Sequence, residues 1–105
     1  MGQNFLIDKN FRDKIIRLLG LKKEDTVLEI GPGLGALTEP LAELAGCVYA
    51  VEKDRKLYRL VRELLACYDN LNVIHSDILE FDIGALPEDK IKVVWALPFY
   101  ITTAI

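Results

Sequence analysis

Apolar residues recur along the chain in two periods, and the period switches at regular intervals. Phe11, Ile15, Ile16, Leu18 and Leu19 return at helical spacing, with Asp8 placed to cap that segment and Gly20 to stop it. A polar turn, Lys22–Asp25, leads into the short β-branched run Thr26–Ile30. Leu37–Leu44 resumes the helical period, and Pro40 fits there in the first turn, where no helical N–H is lost. Cys47–Glu52 reads as a second buried strand. Asp54–Cys67 follows as an amphipathic helix with Leu57, Leu60, Val61, Leu64 and Leu65 on its apolar side. Asn70–His75 predicts a third strand, Asp77–Leu86 an irregular segment closed by Pro87, and Ile91–Ala96 a fourth strand. Strands alternating with helices predict βαβ crossovers and a mostly parallel α/β sheet with both faces covered by helices.

Composition narrows this picture. A chain of 105 residues has room for one domain, and no repeat, charge block or Pro/Gly/Ser linker divides residues 1–105. With 51% hydrophobic and 28% charged residues it can fill a core, which excludes a disordered tail or a collagen-like repeat. A domain of this size buries only about 65% of its unfolded surface, so its stability margin is thin. No apolar run approaches the ~18 residues of a membrane span, and the opening MGQNFLIDKNF lacks a signal peptide's apolar stretch. The expectation is a cytoplasmic protein with no membrane partner. Thirteen basic against sixteen acidic residues give −3, which is not the footprint of a nucleic-acid-binding domain. Cys47 and Cys67 are too few for a disulfide framework and make no metal set with His75. Both are expected as small core groups in a reducing cytosol.

In a parallel sheet, ligands gather at the carboxyl ends of the strands, so the residues found there carry the functional reading. The first strand ends in Glu29-Ile-Gly31-Pro-Gly33-Leu-Gly35-Ala36, where glycines let the backbone approach a ligand and free the N–H groups of the next helix. The second ends at Glu52, 21 residues after Gly31, where a carboxylate can accept both hydroxyls of a ribose. Gly31-x-Gly33-x-x-Ala36 also satisfies the NAD pattern, so an NAD-binding module is a competing reading. Two residues favour S-adenosylmethionine instead. Glu29 brings a carboxylate near the loop, suited to a cationic amino-acid group and poorly suited to a pyrophosphate. Asp77, just past the third strand, is placed to accept from an exocyclic amine such as adenine N6. Taken singly, each reads first as an ordinary turn, strand end or cap. His75 is expected to pack at a strand end and Lys53 to face solvent, while Lys9, Arg12, Lys14, Arg17, Lys22 and Lys23 suit a solvated helix face as well as a contact with phosphates.

Gly2-Gln3-Asn4-Phe5-Leu6, VLEIGPGLGALT at 27–38, VEKD at 51–54 and HSDIL at 75–79 resemble the rRNA adenine N6-dimethyltransferases, the small-subunit rRNA dimethylases and their macrolide-resistance relatives. The resemblance runs from residue 2 to the end of the chain. It implies a Rossmann-like methyltransferase sheet of order 3-2-1-4-5-7-6, S-adenosyl-L-methionine as cofactor and rRNA as partner. It also implies that Asn4 and Leu6 reach the methionine end, Gly31 offers its backbone, Glu52 holds the ribose, Asp77 the adenine, and Ile78 packs on the ring.

Two departures from the family pattern carry expectations of their own. The family's fourth strand runs into Asn-Leu-Pro-Tyr/Phe, whereas this chain reads Trp95-Ala96-Leu97-Pro98-Phe99. The resemblance makes Leu97, Pro98 and Phe99 the catalytic segment, aiming the adenine amine and stacking on the flipped-out base. At Ala96 the side-chain acceptor is lost, and loss of an oriented acceptor of this kind costs about a hundredfold or more in rate. Trp95 is bulky enough to intrude on the pocket or to cover a sheet edge. The family also continues for three more strands and an RNA-binding helical domain, while this chain stops at what the pattern predicts is the start of a helix after strand four. The expectation is a truncated or engineered half-domain, weak or inactive on rRNA, with strand four as a bare edge. That edge would pair it into a homodimer or domain-swapped oligomer. The alternative is a structural half-domain that self-associates without useful ligand binding.

Overall fold

The computed structural model describes residues 9–88, 90–97 and 100–104. Along the chain these are α1 (Lys9–Leu19), β1 (Thr26–Ile30), α2 (Thr38–Leu44), β2 (Cys47–Glu52), α3 (Arg55–Leu64) and β3 (Leu71–His75). A 3-10 turn (Ile83–Ala85), β4 (Lys92–Leu97) and β5 (Tyr100–Ala104) complete the order. One sheet holds all five strands in the order β3-β2-β1-β4-β5. The first four are parallel, so their carboxyl ends share one edge of the sheet. Register sets Ile30 between Val51 and Trp95, and Glu52 beside His75.

Pleating sorts the strand residues onto two faces. Val27, Val48, Leu71 and, one pleat further, Glu29, Ala50, Val73 and Val94 share the first. Ile15 of α1 and Leu37, Leu41 and Ala42 at α2 close over it, forming the core with Val27, Val48 and Val94. Val61 of α3 and Leu65 just past its end approach the same side at Gly35. The opposite face carries Leu28, Ile30, Tyr49, Val51 and Trp95, and there the Tyr49 hydroxyl donates to Glu88 at 3.2 Å.

The helix-flanked, mostly parallel sheet is as the alternation predicts, but helical cover on both faces is not. Among the described residues all three α-helices lie on one side. The chain steps β1 to β2 to β3 in one direction, and successive right-handed crossovers made in one direction put their helices on the same face. Only the return from β3 to β4, on the far side of β1, crosses the other face, and its described residues carry no more than the 3-10 turn.

A second correction concerns the edge. Residues 100–104 do not begin a helix; they form β5, antiparallel to β4, from Leu97↔Tyr100 to Val93↔Ala104. Tyr-Ile-Thr-Thr is aromatic and β-branched, which suits a strand. β4 is therefore flanked on both sides, and the bare-edge argument for a homodimer or domain-swapped oligomer through strand four falls. The order 3-2-1-4 agrees with the family pattern, while β5 stands where that pattern continues as a helix.

The apolar helical stripes are narrower than periodicity suggests: Leu18 is 78% exposed, and Phe11, Leu60 and Leu64 also face outward. Cys47 is half-buried, but Cys67 is exposed, because α3 ends at Leu64 and leaves Cys67 in the turn before β3. No helix among the described residues is long and apolar enough to cross a membrane.

Candidate functional site

β1 passes directly into the glycine turn at the carboxyl edge. Gly31 has φ +72°, a backbone that only glycine adopts without strain, and a side chain built there would meet nothing within 4 Å. The turn thus presents bare backbone to open space. Gly35, with φ +89°, has the opposite reason to be glycine: a Cβ would lie 3.0 Å from both Leu65 Cδ1 and Val61 Cγ2. One glycine opens the site and the other lets α3 close against the loop.

Glu52 ends β2 beside this turn and is buried. Its Oε1 accepts from Gly33 N at 3.2 Å and its Oε2 from Asp54 N at 2.9 Å. Each carboxylate oxygen has two acceptor positions, so one on each remains for a diol. Two backbone donors fix the carboxylate before any ligand arrives. Asp54 meanwhile caps α3, its Oδ1 accepting from Lys56 N at 2.8 Å and Leu57 N at 3.1 Å.

Glu29 sits one residue short of the strand end and is only 1% exposed. The Thr38 hydroxyl, at the start of α2, donates to its Oε1 in a short hydrogen bond. Burial pushes this carboxyl up to about 7; the Thr38 bond opposes the rise and the nearby Glu52 charge adds to it. The sequence reading set Glu29 near a cationic ligand group; the fold seals it beneath the loop, tying β1 to α2. Nothing in the sequence singles out Thr38 as its partner.

Asp77 lies two residues past the end of β3. Ser76 N donates to Glu52 O at 3.1 Å, which draws this segment against the end of β2. Asp77 Oδ1 accepts from Leu79 N at 2.9 Å in a local turn, and Oδ2 lies 3.7 Å from Lys53 Nζ. Lys53 otherwise faces solvent, as expected. Ile78 is half-buried beside Asp77. His75 stacks on Tyr58 at 5.2 Å and meets Lys53 O through Nε2 at 3.1 Å, in keeping with a packing role. The carboxyl edge therefore collects Gly31, Glu52, Asp77 and Ile78, with Leu97 at the same edge on β4. Trp95 stands on the face away from the helices, 40% exposed, between Ile30 and Thr102. Asn4, Leu6, Pro98 and Phe99 lie outside the described residues.

A glycine turn beside a doubly held strand-end carboxylate suits a nucleoside ligand, and comparison with known proteins narrows the class. A family model described as ribosomal RNA adenine dimethylase matches residues 1–105. The chain belongs to this family. Among curated members, the ribosomal RNA small subunit methyltransferase A of Halothermothrix orenii is 46% identical over 111 residues, covering 100% of this chain and 37% of that protein. That of Clostridium botulinum (type A) is 48% identical over 107 residues, covering 100% of this chain and 39% of its own. This dimethylase-family chain thus spans 37–39% of the length of these relatives. Of solved structures, the 23S rRNA methyltransferase ErmE superposes with a TM-score of 0.73 at 28% identity, covering 91% of this chain and 49% of that one. A dimethyladenosine transferase from Plasmodium falciparum gives 0.70 at 27% identity, covering 86% and 42%.

Proposed function

We propose that this chain forms the S-adenosylmethionine-binding part of an rRNA adenine N6-dimethyltransferase. The observation that carries the reading is Glu52: a buried carboxylate at a strand end, held by Gly33 N and Asp54 N beside an open Gly31 backbone. Such a carboxylate suits the two ribose hydroxyls. Asp77 would accept the adenine amine on the oxygen that its own turn leaves free, with Ile78 against the ring. Asn4 and Leu6, in the arm before α1, would complete the methionine end.

When bound, this cofactor supplies an electrophilic methyl on a sulfonium. The residues around it have to bring adenine N6 into line with that methyl and take no covalent part. Leu97 offers a backbone carbonyl, and Phe99 a ring for the flipped base after Pro98. Ala96 leaves out the side-chain acceptor that the family pattern places there, so methyl transfer to small-subunit rRNA by this chain is expected to be weak or absent.

Isothermal titration with S-adenosylmethionine, on the parent chain and on Glu52→Ala, tests the reading. Binding that is lost or falls at least tenfold in the variant is expected. Binding undiminished in Glu52→Ala overturns the ribose assignment, and no binding by the parent overturns the cofactor reading.

A further inference from the structure

α3 starts three residues after Glu52 and carries Arg55, Lys56, Arg59 and Arg62 against a single acid, Glu63. At 3.6 residues per turn, Arg55, Arg59 and Arg62 fall within about 60° of one another, a single stripe down the helix. All four cations are exposed. Among the described residues, no carboxylate lies within ion-pair distance of any of them. Arg62 is held in place instead by an aromatic neighbour: its Nη1 donates to the Tyr58 hydroxyl at 3.1 Å, and its guanidinium sits 5.7 Å from that ring's centre. The stripe runs down into a groove of about 580 Å³ between α3 and β3, the sheet's outer strand. Arg59, Arg62 and Glu63 line it together with Tyr68, Leu71 and Val73.

We infer that this stripe and groove bind the sugar–phosphate backbone of RNA leading away from the target nucleotide. Charge complementarity selects a polyanion: three guanidiniums in a row, in a chain of net charge −3, stand against the one carboxylate of α3, Glu63, and none of the three is ion-paired among the described residues. Position selects a strand continuous with the site, because the stripe begins at its lip. The floor of Leu71 and Val73 suits the apolar side of a ribose or a splayed base. The basic residues of α1 do not compete, since Lys9, Arg12, Lys14 and Arg17 spread over about 200° of that helix and Arg12 is paired with Asp13. The inference rests on the proposed function only for the choice of RNA among polyanions.

The test is fluorescence anisotropy of a labelled single-stranded RNA of about 16 nucleotides across a potassium chloride series. It compares the parent, the triple variant Arg55→Ala/Arg59→Ala/Arg62→Ala, and a control triple on α1, Lys9→Ala/Lys14→Ala/Arg17→Ala. Each lost phosphate contact lowers the slope of log K against log salt by about 0.7 for a single strand. The α3 triple should therefore lower it by about two, with binding about a hundredfold weaker at about 0.1 M salt. The α1 triple should leave the slope largely intact. Equal losses in both triples reduce the effect to net charge and overturn the inference, as does an unchanged slope in the α3 triple or no RNA binding by the parent. An acidic peptide of equal charge that binds as tightly as the RNA would assign the groove to a protein partner instead. A melt with S-adenosylhomocysteine, run on every variant, separates this from the cofactor reading. A ligand shift retained while RNA binding persists in the α3 triple sinks the inference alone; RNA binding that follows the arginines without any ligand shift sinks the cofactor reading alone.

Discussion

Glu29 is a carboxyl whose folded value, about 7, stands above its ordinary 4.5 because it is buried. Such a group favours the fold while protonated: its contribution is whole below about 4.5 and is lost as pH rises through about 7. Glu29→Gln keeps an acceptor for Thr38 and removes the titration. The variant should gain about 3 kcal/mol over the parent between about pH 4.5 and pH 8, read from urea midpoints. A gap that stays flat across that range would show that Glu29 remains ionised throughout. The two glycines are separable in the same spirit. Gly35→Ala should cost about 2 kcal/mol, since a positive φ adds to the contact with Leu65 and Val61. Gly31→Ala should cost only about 1 kcal/mol of backbone strain yet weaken S-adenosylhomocysteine binding at least tenfold, because its Cβ enters the open space above the turn. Calorimetric melts and titrations on both variants check the pair. Gly31 and Glu52 were legible in the sequence through their spacing. The contact between Thr38 and Glu29 was not, because it joins two elements whose packing angle no local pattern specifies.

At the scale of elements, α3 shows what a local signal can carry. The amphipathic run predicts the helix from Asp54 to Cys67; the fold holds it to Arg55–Leu64 and uses Asp54 as the cap. Asp54→Ala should therefore cost about 1 kcal/mol and lower Tm by about 4–8 °C. An unchanged Tm would mean that packing of Val61 and Leu65, not the cap, decides where the helix starts. The strands of the parallel sheet were readable to within one residue, since short β-branched runs bounded by turns leave little choice. β5 was not. Its residues follow a fourth strand where the family pattern continues as a helix, and only the open side of β4 makes an antiparallel partner favourable. Helix placement was misread for a related reason: periodicity shows that a helix has an apolar stripe, not which face of the sheet receives it. Strand order decides that, and order is a property of the whole sheet.

For the molecule as a whole, ligand binding is read as a gain in stability. A ligand at 100 times its Kd adds about 2.7 kcal/mol, so S-adenosylhomocysteine should raise Tm by roughly 10 °C or more. No shift at that excess would remove the cofactor reading while leaving the family membership untouched. The N-terminal motif and the Leu97-Pro98-Phe99 segment were legible as a resemblance, and their roles stay with that resemblance. Asp54 has a wider consequence. One residue both steadies Glu52 and starts α3, so the proposed nucleoside site and the arginine-bearing helix are a single mechanical piece. Whatever grips the carboxylate also quiets the helix, and slowed amide exchange along α3 would report an occupied pocket from the far side of the wall.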